Sequence, residues 1–479
     1  MPLTHVPVGA FPIERFEALL GDRYAEVESA AARGREVFAG RVVWHVNSTA
    51  RGGGVVELLQ SLLAYARAAG VDNRWCVVDG NPEFFAITKR IHNNLHGVPG
   101  DGGDLGPAES AVVERTLAAD AEELTRLVRP EDIVFLHDPQ TAGMIEAVRG
   151  TGAVVVWRCH VGLDLPNELA RRAWAFLRPY VEQADAYVFS RREFAWEGLG
   201  TERVWVVPPS IDVFSPKNQD LPAEVVESIL GAAGIVEPRR DGPPVFRRMD
   251  GSPGRVDRRA ELHESATVPA AARIVTQVSR WDRLKDPAGV LASFTDGWQD
   301  TRGHLVLAGP SAAAVADDPE AFEVLEEVRG QREEAAPEVR ERIHLVSLPM
   351  DDVEENAAIV NALQRRSDVV LQKSLAEGFG LTVAEAMWKA RPVIASKRGG
   401  IQDQIVDGES GVLLTDPADL DAVAGAVRGL LGNQDRAAAI GTAARERVLE
   451  RFLGAGHLIR YLDLLEGLLD GRPKGAEPE

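Results

Sequence analysis

Residues 367–400 read SDVVLQKSLAEGFGLTVAEAMWKARPVIASKRGG. The apolar run SDVVLQKS reads as a buried strand, the turn Gly378, Phe379, Gly380 follows it, a helical pattern starts near Leu381, and PVIASKRGG from Pro392 reads as the next strand. Strand, helix and strand in that order make a parallel α/β unit. The glycines let backbone amides approach a ligand closely, and the helix aims its positive end at the same place, so the turn reads as an anion site. Glu377 is expected in the loop at the helix mouth. Glu385, separated from it by seven residues, is expected on the second turn, with both carboxylates facing one cleft.

The same scheme extends in both directions. In the second half, RIVTQVSRW (from Arg273), HLVLAGP (from His304) and IHLVSLP (from Ile343) precede the unit above. In the first half the runs are VVWHVN (from Val42), WCVVDG (from Trp75), DIVFLHD (from Asp132), AVVVWRCH (from Ala153), AYVFS (from Ala186) and VWVVPPS (from Val204). They are near-continuously apolar, as strands buried on both faces should be. The reading is an α/β protein of two Rossmann-like, doubly wound domains. Ligands in such sheets bind beyond the carboxyl ends of the strands, so two sheets facing each other make an interdomain cleft. An N-terminal domain is expected over 1–215, completed by a C-terminal helix near 450–470 from a helical stretch at about Thr442 to Leu468. A C-terminal domain is expected over 216–449, with a Pro-, Gly- and Arg-rich surface loop near 236–262. The last residues, DGRPKGAEPE, read as frayed.

Composition agrees with this size class. At 479 residues, two cores are the default, and 45% hydrophobic with 26% charged residues is ordinary for globular chains. Acidic residues number 73 against 53 basic, a formal charge of −20, which argues against nucleic acid or anionic membrane as partner. Only Cys76 and Cys159 occur, each in a strand, so neither a disulfide nor a metal site is expected. No apolar run approaches the ~20 residues that span a bilayer, and MPLTHVPVGAFPIERF lacks a signal-peptide pattern, so the expected location is cytoplasmic.

Other residues carry chemistry. In SRWDRLKDP, Arg280 and Lys285 flank a helix start after a strand, and two cations there match a pyrophosphate leaving group that gains charge as its bond breaks. NSTARGGGVVELLQSLL places Gly52, Gly53 and Gly54 between a strand and an amphipathic helix. That fits phosphate binding or tight packing, and is neither a complete Rossmann fingerprint nor a P-loop. His160 and Asp138 each end a buried strand, where side chains project towards ligand; His137, Trp44 and Trp157 are assigned to packing. The sequence has no zinc-type His spacing, nucleophile elbow or paired Asp motif, so no cofactor or metal is expected and protein cations must serve the leaving group.

These motifs resemble the retaining glycosyltransferases of the glycogen-synthase-like clan, which have the GT-B architecture, and look closest to the trehalose-forming NDP-glucose glycosyltransferases. GGGVVELLQSL, DNRWCVVDGNPEFFAITKRIHNNLHG, FLHDPQ, WRCHVGLDLPN, VVPPSIDVFSPKN and GGIQDQIVDGESG extend the resemblance over about residues 42–415. It implies that Arg280 and Lys285 hold the donor diphosphate, Glu385 bonds the ribose hydroxyls, and Glu377 sits by the transferred glucose. The amides of Gly378, Phe379, Gly380 and Leu381 would complete the donor cradle, and the Gly53/Gly54 loop would close over the phosphates. His160 would contact the donor sugar, while Asp138 and Gln140, in the N-terminal domain, would bind acceptor hydroxyls. The family pattern has an Asp two residues past the His, where this chain has Gly162; an Asp follows at Asp164, on the acceptor side.

The expected reaction is retaining transfer of glucose from an NDP-glucose to glucose or a close analogue, giving trehalose or an analogue. The alternatives are a trehalose phosphorylase, a non-catalytic sugar-nucleotide-binding protein, or a sugar-nucleotide epimerase on the same architecture. Asp164 and Glu168 are expected to repel a phosphorylated acceptor, with Arg51 and Arg158 as possible counter-charges. The sequence leaves the base of the nucleotide open, and a homo-oligomer is compatible with it.

Overall fold

The computed structural model describes residues 3–50, 52–239, 242–311 and 319–471. The chain divides into two units, Met1–Ser210 with Gly454–Glu479, and Ile211–Leu453. The division therefore falls a few residues from the 215/216 and 449/450 boundaries expected from sequence.

The first unit is built on a seven-stranded sheet. Its strands are β1 (Thr4–Val6), β2 (Val42–Asn47), β3 (Asp72–Val77), β4 (Ile133–His137), β5 (Val154–Cys159), β6 (Ala186–Phe189) and β7 (Val204–Val206), in spatial order β1-β3-β2-β4-β5-β6-β7. Only β1 runs antiparallel, against β3. All six residues of β2 are buried, because helices cover both faces of the sheet. Alternation sends Trp44 and Val46 into one layer, with Leu136 and Trp157. Val43 lies in the other layer, with Phe135, Val156 and Val188.

That second layer is closed by the C-terminal helix Gly454–Leu469, which brings Tyr461, Leu462, Leu464 and Leu465 onto it. Arg33 ties this helix down through Asp463 and Glu466, each at 2.6 Å. The helical stretch expected from Thr442 to Leu468 is in fact two helices. Gln434–Arg451 belongs to the second unit, Gly454–Leu469 to the first, and the break falls at Phe452 and Leu453.

The second unit carries the hairpin β8 (Val245–Arg247) and β9 (Pro253–Arg255), then β10 (Glu261–Leu262), β11 (Ile274–Val278), β12 (His304–Pro310), β13 (Ile343–Leu348), β14 (Val369–Gln372), β15 (Val393–Ser396) and β16 (Val412–Leu414). Its main sheet has the order β10-β13-β12-β11-β14-β15-β16, parallel apart from β10. The unit that opened the sequence analysis is β14, the helix Leu381–Trp388 and β15.

The loop expected near 236–262 is more ordered than its composition implied. Its arginines bind the acidic start of the helix Val353–Arg366. Arg248 donates to Asp352 at 2.6 Å and Glu354 at 2.8 Å, and Arg258 pairs with buried Glu355. Asp352 also caps that helix through the Glu354 and Glu355 amides. Arg240 and Asp241 of this stretch, Arg51, and the terminal residues from Arg472 lie outside the described residues. Among the described residues no helix is long and apolar enough to cross a membrane.

Candidate active site

In the second unit, β14 ends at Gln372 and the chain turns through Glu377 to Gly380. Gly380 has φ 82° and stands just before the helix Leu381–Trp388. Glycine adopts this left-handed conformation without a Cβ penalty. The turn is braced from below, since Gly400 donates its amide to the Gly378 carbonyl at 2.9 Å. Phe379 is buried against Phe452, with ring centroids 5.7 Å apart.

Lys285 lies at the end of the turn Arg283–Lys285 after β11, and its Nζ donates to Glu377 Oε2 at 2.5 Å. Ser374 Oγ donates to the same oxygen at 3.2 Å. Arg280 is half exposed and donates to Asp282 Oδ2 at 2.8 Å. Asp282 is held by the Leu284 amide, so one carboxylate fixes both the turn and the arginine. Lys285 and a helix N-terminus thus meet at one Gly-rich turn, while Arg280 stands two residues past β11 on Asp282.

Glu385 sits on the second turn of the helix, as its spacing required, but is only 1% exposed. Its Oε1 accepts from Lys217 Nζ at 3.1 Å, while Oε2 is buried without a partner among the described residues. Lys217 is a residue that sequence reasoning missed. It lies in the quoted stretch VVPPSIDVFSPKN, where nothing local announced a carboxylate partner. The segment that carries it is fixed by its neighbour, Asn218, which accepts from buried Lys389 at 2.9 Å.

In the first unit Gly52 and Gly53 have φ 70° and 85°, and the helix Gly54–Ala68 follows. Asp138 is a non-glycine residue at φ 63°, between β4 and the turn Pro139–Met144. Such strain persists only where surroundings fix it. Here Asp138 Oδ1 accepts from the His160 amide at 2.8 Å, and its own amide donates to the Arg158 carbonyl at 2.7 Å. Burial pushes the Asp138 carboxyl up to about 7, against the pull of the His160 amide and the Arg158 charge. Gln140 Oε1 is buried with no partner among the described residues.

His160 follows β5 directly, and its Nε2 lies 3.2 Å from His137 Nδ1. His137, assigned to packing from sequence, is 1% exposed but is also hydrogen-bonded, with Nε2 3.1 Å from His45 Nδ1. Trp44 and Trp157 are core residues, and Cys76 and Cys159 are buried free thiols.

Three acceptor-side residues stand in surroundings that the sequence did not show. Asp164 is ion-paired with Arg191, which also binds Glu193 at 2.9 Å, so two carboxylates share one guanidinium. Glu168 is 94% exposed and carries no desolvated charge. Arg158 cannot turn out to meet a phosphate, because it is fully buried and donates to the Phe189 and Val207 carbonyls. The glycine at 162 has a steric reason, since a Cβ there would lie 2.3 Å from the Phe194 ring.

Two family models match the chain, one described as trehalose synthase, N-terminal domain, over residues 45–196, and one as glycosyl transferases group 1, over residues 258–447. The trehalose synthase of Pyrococcus horikoshii is 34% identical over 462 residues, 96% of this chain and 97% of that protein. A trehalose phosphorylase of Pleurotus sajor-caju is 29% identical over 408 residues, 79% of this chain and 51% of that protein. A solved UDP-forming trehalose-phosphate synthase from Burkholderia xenovorans superposes with a TM-score of 0.65 at 15% identity, covering 90% of this chain and 99% of its own. That last likeness is one of fold, the two Rossmann-like domains of GT-B glycosyltransferases.

Proposed function

The chain belongs to the trehalose synthase family of glycosyltransferases, and from that premise we propose that it transfers glucose from a nucleoside diphosphate glucose to free glucose, with retention, to give trehalose. The observation that carries the reading is Glu385. A buried carboxylate with one oxygen on Lys217 and the other without a partner is an acceptor in want of a donor, and a ribose hydroxyl supplies one. A phosphorylase using inorganic phosphate alone brings no ribose and leaves that oxygen unpaired.

Arg280 and Lys285 take the diphosphate, with the amides from Gly378 to Leu381 and the helix N-terminus behind them. Glu377, next to Lys285, lies by the transferred sugar. The bond from C1 to the phosphate oxygen breaks and its electron pair stays on the diphosphate. The acceptor hydroxyl bonds to C1 on the same face, and its proton passes to the departing phosphate oxygen. Arg280 and Lys285 stabilise the charge that grows on that oxygen. His160 contacts the donor sugar, Asp138 and Gln140 take acceptor hydroxyls, and Asp164, engaged by Arg191, fixes the loop after His160. The Gly53/Gly54 turn, at the head of the helix Gly54–Ala68, offers a further contact for a phosphate.

The test is a matrix of ADP-, UDP- and GDP-glucose donors against glucose, glucosamine and glucose 6-phosphate, with linkage read by NMR. The α,α-1,1 product from glucose, dependent on nucleotide, is expected. A β-linked product, or phosphate-dependent cleavage of trehalose without nucleotide, would overturn the proposal. A kcat/KM for glucose 6-phosphate above that for glucose would overturn the choice of acceptor.

A further inference from the structure

The reaction uses one imidazole, yet His160 is the end of a row. Three neighbouring strands each bring one histidine to it: His45 within β2, His137 as the last residue of β4, and His160 one position past β5. His45 Nδ1 stands 3.1 Å from His137 Nε2, and His137 Nδ1 stands 3.2 Å from His160 Nε2. The rings stand edge to edge and nearly parallel, with centroids 5.4 Å and 5.5 Å apart and planes inclined by 28° and 14°.

Each link needs a proton on one nitrogen and a lone pair on the other. His137 spends both nitrogens, so where its single proton points sets the tautomer of both neighbours. The row stands in a cationic, desolvated setting. From β5 it faces Arg158, fully buried and without a carboxylate at ion-pair distance among the described residues. The C-terminal helix contributes His457, buried with Nδ1 3.2 Å from Ser210 Oγ, and Tyr461, stacked on Phe135. The loop after β4 contributes Asp138, bonded to the His160 amide. Burial pushes His45 down to about 3, and burial with Arg158 close by pushes His137 and His160 well below the ordinary histidine range.

We propose that His137 is a positioning residue: through Nδ1, and with His45 closing the row, it sets the plane and tautomer in which His160, a neutral ring, meets the sugar. The inference rests on the reading that His160 contacts the transferred sugar. An uncharged ring gives a directed hydrogen bond and adds no positive charge beside a carbon that becomes cationic in the transition state.

The test uses the full chain and two variants. His137→Phe keeps an aromatic ring without nitrogens, and His137→Gln restores one donor and one acceptor. With nitrogen-15-labelled histidine, NMR of the ligand-free protein from about pH 5 to about pH 8 is expected to show His160 with one protonated and one bare nitrogen throughout. In His137→Phe that ring stays uncharged, since its burial is untouched, but loses its fixed tautomer, and kcat/KM falls about 10-fold or more, the scale of a lost directed hydrogen bond; His137→Gln recovers part of both. A wild-type His160 that titrates in the ordinary range or mixes tautomers overturns the inference. So does a His137→Phe variant in which His160 keeps the wild-type tautomer and kcat/KM. If the ring responds in the spectra while His160→Ala leaves kcat/KM intact, the row stands and the role of His160 in the reaction falls.

Discussion

Lys285 and Glu377, 2.5 Å apart, are each other's counter-ions, so under the proposed function a diphosphate would replace one anionic partner of the lysine by another. Arg280 is half exposed and steered by Asp282. Arg280→Ala and Lys285→Ala should each lower kcat/KM by about 10²-fold, the scale for one charge partner of a transition state in a dry site, as read by steady-state kinetics. Near-normal turnover in both would remove the diphosphate assignment. If these side chains supply the positive charge, as proposed, dialysis against EDTA should leave kcat unchanged, and a loss restored by magnesium would transfer that role to a metal. Asp138 gives a prediction with a sign. Its folded value of about 7 lies above the unfolded 3.8, so between these the folded chain holds a proton that the unfolded chain releases. Stability therefore declines as pH rises through that window, and ionised Asp138 costs most above it. Asparagine tolerates the same φ and still accepts from the His160 amide. Asp138→Asn should thus gain Tm over the parent progressively from about pH 4 to about pH 8, while losing acceptor turnover. A Tm difference that does not change with pH would contradict the buried-carboxyl account.

Among the elements, the donor turn depends on a neighbour that carries no functional group. Gly399 has φ 50°, and a Cβ there would lie 1.7 Å from the Glu377 carbonyl oxygen. Gly408 also has a left-handed φ, 77°, but its Cβ would meet nothing within 4 Å. Both alanine variants accept backbone strain of about 1–2 kcal/mol. Only Gly399→Ala should displace the turn and raise the donor KM, by about 10-fold or more, as a misplaced cradle loses positioning. Equal donor KM values in the two variants would show that the turn does not need its support. The same contrast explains what the sequence made legible. Strands β2, β4, β5 and β11 to β15 announced themselves as apolar runs because both faces are covered, and the Gly378–Gly380 turn because strand, glycine and helix are contiguous. The hairpin β8–β9 did not, since its arginines are satisfied by acids a hundred residues further on, at Asp352 and Glu354. The Lys217–Glu385 pair and the His45–His137–His160 row depend in the same way on sheet order and long-range docking, which no local pattern encodes.

At the scale of the whole molecule, the chain leaves its first unit at Ser210 and returns to it at Gly454, so the first core is completed by a helix that follows the whole second unit. The −20 formal charge is spread over the chain, while the diphosphate reading relies on a few local cations; net charge says nothing about a site that small. The return of the chain separates the two functions in a testable way. Leu464 is fully buried in the C-terminal helix, in the layer that holds Phe135, Val156 and Val188, and Tyr461 of that helix stacks on Phe135 beside His45. Truncating Leu464 to alanine removes buried methyl groups at a cost of about 2–5 kcal/mol, because a close-packed layer relaxes only partly. The cost falls on the first unit alone. Calorimetry of Leu464→Ala should therefore show a lowered unfolding transition for that unit, together with weakened acceptor turnover. Binding of the nucleoside diphosphate, which the reading places on Arg280, Lys285 and Glu385 of the second unit, should keep its Kd within about a factor of two, since distant sites are close to additive. A nucleotide Kd that weakens in step with the lost stability would show that the donor site does not belong to the second unit by itself, and would move the assignment of Glu385 with it.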